Sequence, residues 1–312
     1  MLIEKVNNGI YSQCRIPGIV ITENGTLLAY YECRRSNSDW AEIDIKIIRS
    51  TDEGNTWQTV TIIEGSGHTL NNPVMFVNGQ ELHFLFLKDY KVLFHCVSID
   101  DGKSFSSPRQ ISVDCTFFYN VIAVGPGHGI VHDGKMIVPV WFAQNRENPQ
   151  AHRPSIIATL YSTDGKDWHV GEIIGKDLLI NPSECALAIT ADNKVFISIR
   201  NENEGRRRAF ALSDNGFSDW SEAYFDPQMP DPICMGSMCN DSQRIYHINC
   251  DSNTKRENLT VKYSDNGFKS FESVFVDTPA GYSDIAVKNN KLYIFYERDC
   301  FNGGLYFKKI TL

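Results

Sequence analysis

The chain has 312 residues, 42% of them hydrophobic, and a formal net charge of −8 from 30 basic and 38 acidic side chains. That length is enough to bury a large core, and the charges are dispersed without an acidic or basic block, which argues against a nucleic-acid or polybasic membrane surface. Residues 1–9 lack a basic stretch leading into an apolar one, and no later apolar run nears about 18 residues, so the expectation is a soluble cytoplasmic protein, or a secreted one if a leader has been removed.

Predicted strands come in chain order at 19–22, 82–87, 135–142, 195–199 and 292–296, each a short Val, Ile, Tyr and Phe run bounded by Gly, Asn, Asp or Pro. No stretch sustains helical periodicity, so the fold class is all-β. Nine cysteines, at 14, 33, 96, 115, 185, 234, 239, 250 and 300, form an odd set without a CxxC pair. Most lie in apolar or alternating runs, where a thiol behaves as a small buried hydrophobe. Reduced thiols are expected, in keeping with a cytoplasmic location, rather than a disulfide framework or zinc site.

A pattern of the form SxDxGxTW then repeats along the chain. Ser50-Thr-Asp-Glu-Gly-Asn-Thr-Trp57 returns as Ser98-Ile-Asp-Asp-Gly-Lys-Ser-Phe105 and, shortened by one residue, as Ser162-Thr-Asp-Gly-Lys-Asp-Trp168. Ser213-Asp-Asn-Gly-Phe-Ser-Asp-Trp220 and Ser264-Asp-Asn-Gly-Phe-Lys-Ser-Phe271 are near twins. The intervals between the serines are 48, 64, 51 and 51 residues, the spacing of propeller blades. These segments resemble the Asp-box of sialidases and related propellers. There Asp caps the hairpin turn, Gly accepts a positive φ, and the last aromatic packs between sheets. Such boxes do no chemistry, so Asp52 and Asp100 are read as structural. The resemblance implies a six-bladed β-propeller of four-stranded antiparallel blades, formed by residues 1–312 as a single domain. The N-terminal strand would close the sixth blade with C-terminal ones. The long interval holds a polar Pro-containing stretch, 144–154, read as an insertion over the active face.

The remaining motifs are similar to those of sialidases (glycoside hydrolase family 33 and relatives). Cys14-Arg15-Ile16-Pro17-Gly18 resembles the RIP motif, which makes Arg15 the first of three arginines on a substrate carboxylate. The loop 31–44 corresponds to the one that carries the general acid/base. Asp39 stands eleven residues before Ser50 and is preferred over Asp44, which alternates with Ile43 and Ile45 like a solvent-facing strand residue. Gly125-Pro126-Gly127 is similar to a family segment whose glycines let backbone approach the site. His128 and His132 beside it could be read as a metal pair, but i, i+4 on a loop-to-strand path does not converge them, so one is expected at the pocket rim and one in a structural role. The order Asn181-Pro182-Ser183-Glu184, then Arg200-Asn201, then a basic strand into a box implies a catalytic Glu184 and a second clamp arginine, Arg200. Arg256 matches the third arginine, Tyr282 in Tyr282-Ser283-Asp284 the nucleophile, and Glu297 the acid that braces Arg15.

What the resemblance implies is an exo-α-sialidase that hydrolyses terminal sialic acid with retention through a covalent tyrosyl intermediate, on a sialylated glycan or a related ulosonic acid glycoside. Guanidinium forks suit a carboxylate better than ammonium groups do. A neutral phenol avoids the repulsion that a carboxylate nucleophile would meet beside the substrate's own carboxylate. No feature of the sequence suggests a metal or organic cofactor. Two alternatives stay open: a hydrolase of another ulosonic acid such as Kdo or KDN, and a non-catalytic glycan-binding propeller, although a lectin has no use for the Tyr282–Glu184 pair.

Overall fold

The computed structural model describes residues 1–299 and 302–312; Cys300 lies outside the described residues. The described residues form strands and turns and no helix, and all five predicted segments fall on strands, the first overrunning its strand by one residue, Thr22. The strands assemble into six sheets arranged as a six-bladed β-propeller.

The first blade comprises Gln13–Ile21, Leu27–Arg34, Ile43–Ser50 and Gln58–Ile63, from the axis outward. The second comprises Leu70–Asn78, Glu81–Lys88, Val92–Ser98 and Arg109–Ile111. In the third, Val121–Val124 and Ile130–His132 share the inner position beside Lys135–Ala143, Ser155–Ser162 and Trp168–Val170. The fourth is Cys185–Ile189, Val195–Ile199, Arg207–Ser213 and Tyr224–Pro230, and the fifth Ser237–Asn240, Ile245–Cys250, Leu259–Ser264 and Glu272–Asp277. The sixth runs Ala280–Lys288, Lys291–Arg298, Gly304–Thr311 and then Leu2–Glu4 from the N-terminus, Leu2 lying opposite Tyr306. This is the predicted closure, and it satisfies backbone groups that would otherwise form an open edge.

Two blades depart from the four-stranded expectation. The segment Gly125-Pro126-Gly127 interrupts the first strand of blade three, and Gly127–His128 crosses to pair in parallel with Leu70–Asn78 of blade two. Val113–Asp114 likewise adds a short parallel pairing to Trp168–Val170. Gly127, at φ 99°, accepts Tyr30 Oη on its carbonyl at 2.6 Å, and a Cβ there would meet Met235 and Asp284. The close approach that its missing side chain permits is therefore to the propeller axis, not to the pocket described below.

Alternation of strand direction sorts the connections onto two faces. In blade one the chain enters the inner strand at Gln13, turns back after Ile21, returns to Arg34, and descends again from Ile43 to Ser50. Strand starts and second-to-third connections therefore share one face, and every box shares the other. The boxes are built as expected in the first three blades: Asp52 Oδ1 accepts the Thr56 amide at 2.9 Å, and Asp100 Oδ1 accepts the Ser104 amide at 3.0 Å. In the last two copies Asn, not Asp, does the capping. Asn215 Oδ1 accepts the Ser218 amide at 2.9 Å and Asn266 Oδ1 the Ser270 amide at 3.1 Å, while Asp214 and Asp265 are exposed. Either side chain offers the oxygen that the turn needs. The box tryptophans pack on neighbouring blades, Trp57 edge-on to Phe307 at 5.3 Å and Trp168 to Phe76 at 6.5 Å. Apolar clusters fill the spaces between blades, as where Ile137, Trp141 and Ile157 of blade three meet Leu187, Ile197 and Ala209 of blade four.

Candidate active site

The face that carries strand starts and second-to-third connections holds a pocket of about 400 Å³. Inner-strand starts supply Arg15, Asn72 and Tyr282, and a residue just ahead of one supplies Glu184. The second-to-third connections supply Asp39, Tyr90, His152, Arg153, Arg200 and Arg256 in five successive blades. Three inner strands share one local device. The pairing register slips between Arg15 and Gly18, between Asn71 and Val74, and between Ala280 and Ser283. Bulges of this kind re-aim side chains at the rim of a sheet. Ile16, at φ 59°, and Asn72, at φ 51°, each precede a proline in such a bulge. A β-branched residue there marks strain held by its surroundings. Here the holding group is Glu297, whose Oε1 accepts the Ile16 amide at 3.1 Å.

Glu297, 1% exposed, also accepts Arg15 Nε at 3.0 Å and Nη2 at 3.2 Å, and its Oε2 the Tyr282 amide at 3.4 Å. One carboxylate thus fixes both the first arginine and the backbone of the tyrosine. Glu297 itself lies behind Arg15, and the other predicted site residues line the pocket. Tyr282 Oη donates to Glu184 Oε1 at 2.5 Å. Arg200 Nη1 bonds Glu184 Oε2 and also reaches Tyr282 Oη at 2.7 Å. The Arg15 and Arg256 guanidiniums lie 5.1 and 5.2 Å from the Tyr282 ring centroid. Burial pushes the phenol well above its ordinary value, against the pull of Arg200 and Arg256. It therefore keeps its proton at neutral pH, with a carboxylate in contact to take it. Glu184 and Arg200 face one another at the end of one hairpin, locked by Arg200 N to Glu184 O at 3.1 Å.

Asp39 sits across the pocket on the 35–42 connection, its Oδ1 accepting Arg34 Nη1 at 2.6 Å. Burial alone would raise its carboxyl, but Arg34 beside it holds the group below the usual carboxylate value. Asp44, expected to face solvent, is buried instead. It accepts Tyr11 Oη at 2.6 Å, the Gly65 amide at 2.8 Å and Arg35 Nη2 at 3.3 Å. Alternation in this strand turns Asp44 into the packing between the chain entry and the approach to blade two. His128 is not at the pocket rim either: it lines an axial cavity on the far side and bonds Asp284 Oδ1 at 2.8 Å through Nδ1. His132 is structural, its Nε2 against Asn193 O at 2.9 Å. Among the described residues no group of three metal-ligating side chains comes together, and no disulfide joins the eight described cysteines.

Several pocket residues went unread in the sequence. Arg34 and Glu32 flank Cys33 at i, i+2 in the otherwise apolar Leu27–Arg34, a period-2 charge pattern that marks one face. Asn71-Asn72-Pro73 repeats, one blade later, the x-x-Pro of Arg15-Ile16-Pro17, and that echo was the available signal for Asn72. The 144–154 insertion does reach the pocket, through His152 and Arg153. His152 is set among Tyr90 at 5.0 Å, Trp141 at 5.3 Å and Trp40 at 6.0 Å. Trp141 Nε1 and His152 Nε2 are buried without a hydrogen-bond partner among the described residues.

Comparison with known proteins agrees with this architecture. Residues 58–294 match the BNR repeat-like domain family. A sialidase of Bacteroides fragilis is 25% identical over 300 residues, covering 81% of this chain and 53% of that protein, so the chain spans about half that relative's length. Among solved structures, a Hadza microbial sialidase superposes with a TM-score of 0.85 at 22% identity, over 98% of this chain and 67% of that one. The Trypanosoma rangeli sialidase, in complex with 2,3-difluorosialic acid as a covalent intermediate, superposes with a TM-score of 0.75 at 20% identity, over 98% and 56%. At these identities the structural likeness carries the fold. The family match covers most of the chain and the fold agrees with it: the chain belongs to the BNR repeat-like domain family, within the sialidase superfamily.

Proposed function

We propose that the protein is a retaining exo-α-sialidase. The observation that carries this reading is the Tyr282 Oη–Glu184 Oε1 contact of 2.5 Å inside a ring of Arg15, Arg200 and Arg256. A phenol paired with a carboxylate among three guanidiniums suits one substrate class: a sugar with a carboxylate on its reacting carbon. The arginines bind that carboxylate and orient the anomeric carbon over Tyr282. Glu184 removes the phenol proton as the oxygen attacks, which a buried phenol of raised pKa requires. Asp39 protonates the departing glycosidic oxygen, giving a glycosyl–Tyr282 aryl glycoside intermediate, then takes a proton from the water that displaces Tyr282 while Glu184 returns its proton to the phenol oxygen. Two displacements at one centre give retention.

Sialic acid is favoured over Kdo by the wall formed by Tyr90, Trp141 and His152. Its aromatic faces suit the apolar end of an acylamino substituent, which Kdo lacks. The test is hydrolysis of a fluorogenic sialoside beside a Kdo analogue, with product stereochemistry followed by proton NMR. Expected are cleavage of the sialoside, first appearance of the α-anomer, and a rate loss of at least about 10³-fold in Tyr282→Phe. Initial release of the β-anomer would sink the tyrosyl mechanism. Silence on both substrates with tight binding of free sialic acid would make the protein a lectin.

A further inference from the structure

Behind Asp39 lies a line of charge that the clamp and the nucleophile do not use. Glu32, fully buried, accepts Arg34 Nε at 2.8 Å and Nη2 at 2.6 Å on one oxygen, and the Asn72 amide at 2.9 Å on the other. Arg34, its side chain 1% exposed, is thereby fixed in place, and the nitrogen left over, Nη1, holds Asp39. The Asp39 side chain is 49% exposed on a connection of turns and bends. The cation is the rigid partner and the carboxylate the movable one.

That arrangement conflicts with the first step of the reaction. A general acid must carry its proton when the leaving group departs, and a carboxylate paired with a guanidinium surrenders it. The ionisable groups that face Asp39 are Arg34, Arg15 and His152 on the cationic side, and Glu32 and Tyr90 on the other. Arg34 dominates by contact. Arg15 acts from the clamp, where a substrate carboxylate would offset its charge.

We propose that Arg34 is a positioning residue that parks Asp39 as a carboxylate until substrate displaces it. A neutral oxygen of the sugar takes Arg34 Nη1, the sugar carboxylate offsets Arg15, and the released Asp39 takes a proton from solvent and turns to the glycosidic oxygen. Substrate binding and arming of the acid are then one linked event. The proposal rests on the sialidase reading above.

The experiment is calorimetric titration of the full chain with 2,3-didehydro-2-deoxy-N-acetylneuraminic acid at pH 5.5, in buffers of different ionisation enthalpy. Between about half and one proton taken up per ligand is expected in the wild type. Asp39→Asn, at a half-exposed position that leaves Glu32–Arg34 intact, is expected to abolish the uptake. Arg34→Lys, which keeps a charge on Glu32 but loses the fork, is expected to reduce it by at least half. In kinetics, the basic limb of kcat lies about one pH unit or more above that of kcat/KM in the wild type, and the gap closes in Arg34→Lys. Tight binding without proton uptake, uptake that persists in Asp39→Asn, or uptake unchanged in Arg34→Lys each overturns the proposal while leaving the sialidase reading intact. Absence of binding together with absence of sialoside cleavage removes the sialidase reading itself, and the proposal with it.

Discussion

Replacement of Glu297 by Ala tests the idea that one buried carboxylate organises the centre of the site. Four donors lose their acceptor: Arg15 Nε and Nη2, and the amides of Ile16 and Tyr282. Arg15 becomes a buried guanidinium without that counter-charge, and the positive φ of Ile16 loses the bond that holds it. Breaking a buried ion pair from one side costs about 3–5 kcal/mol. With an unfolding entropy of about 2.1 cal/mol/K per residue, a 312-residue chain loses roughly 1.5 °C in Tm per kcal/mol. The expected shift is therefore about 5–8 °C by scanning calorimetry, together with a KM for sialoside raised at least about tenfold as the first clamp arginine loosens. Glu297→Gln keeps the shape but presents an amide donor to a guanidinium donor, so its shift is expected to be smaller yet in the same direction. A Tm within 1–2 °C of the wild type, with KM unchanged, would refute the claim that Glu297 holds both Arg15 and the Tyr282 backbone.

Asp44→Ala is expected to lower stability by about 2–4 kcal/mol, because the Gly65 amide and Tyr11 Oη lose a buried acceptor, while kcat per folded molecule is unchanged. Asp39→Ala is expected to do the reverse: little change in Tm, and a 10²–10⁴-fold loss of kcat on natural sialosides that shrinks for aryl leaving groups needing no acid. Ser50→Ala removes the oxygen that accepts the Gly54 amide at 2.9 Å and donates to Asp52, so Tm falls by about 1.5–3 °C without loss of activity; an unchanged Tm would mean the box serine is dispensable. Burial, with His83 and Arg109, holds His95 down at about 4. The unfolded chain therefore binds this proton first, and stability present above pH 6.5 is lost as pH falls toward 4, by up to about 3 kcal/mol. Denaturant midpoints across that range check this, and a slope no shallower in His95→Gln would contradict it.

The sequence by itself determined the class of the molecule. Five copies of a turn motif at blade spacing set strand direction and the blade repeat, since each box joins two strands that run opposite ways, and short β-branched runs supply the sheets; the count of six came with the family resemblance. Resemblance to sialidase motifs singled out Arg15, Glu184, Arg200, Arg256 and Tyr282, and they line one pocket because inner-strand starts and second-to-third connections meet on one face in every blade. Only the tertiary structure decided which face of an alternating strand is interior. Asp44 reads as a surface charge and is buried, and Glu32 carries no signal of its role, since the groups that donate to these carboxylates, from Tyr11, Gly65 and Asn72, are remote in sequence. It also decided that Gly127 and His128 serve the axis, and that Arg34 stands against Asp39. Period-2 patterning tells which residues share a face but not what lies opposite it, and in a propeller what lies opposite is the next blade.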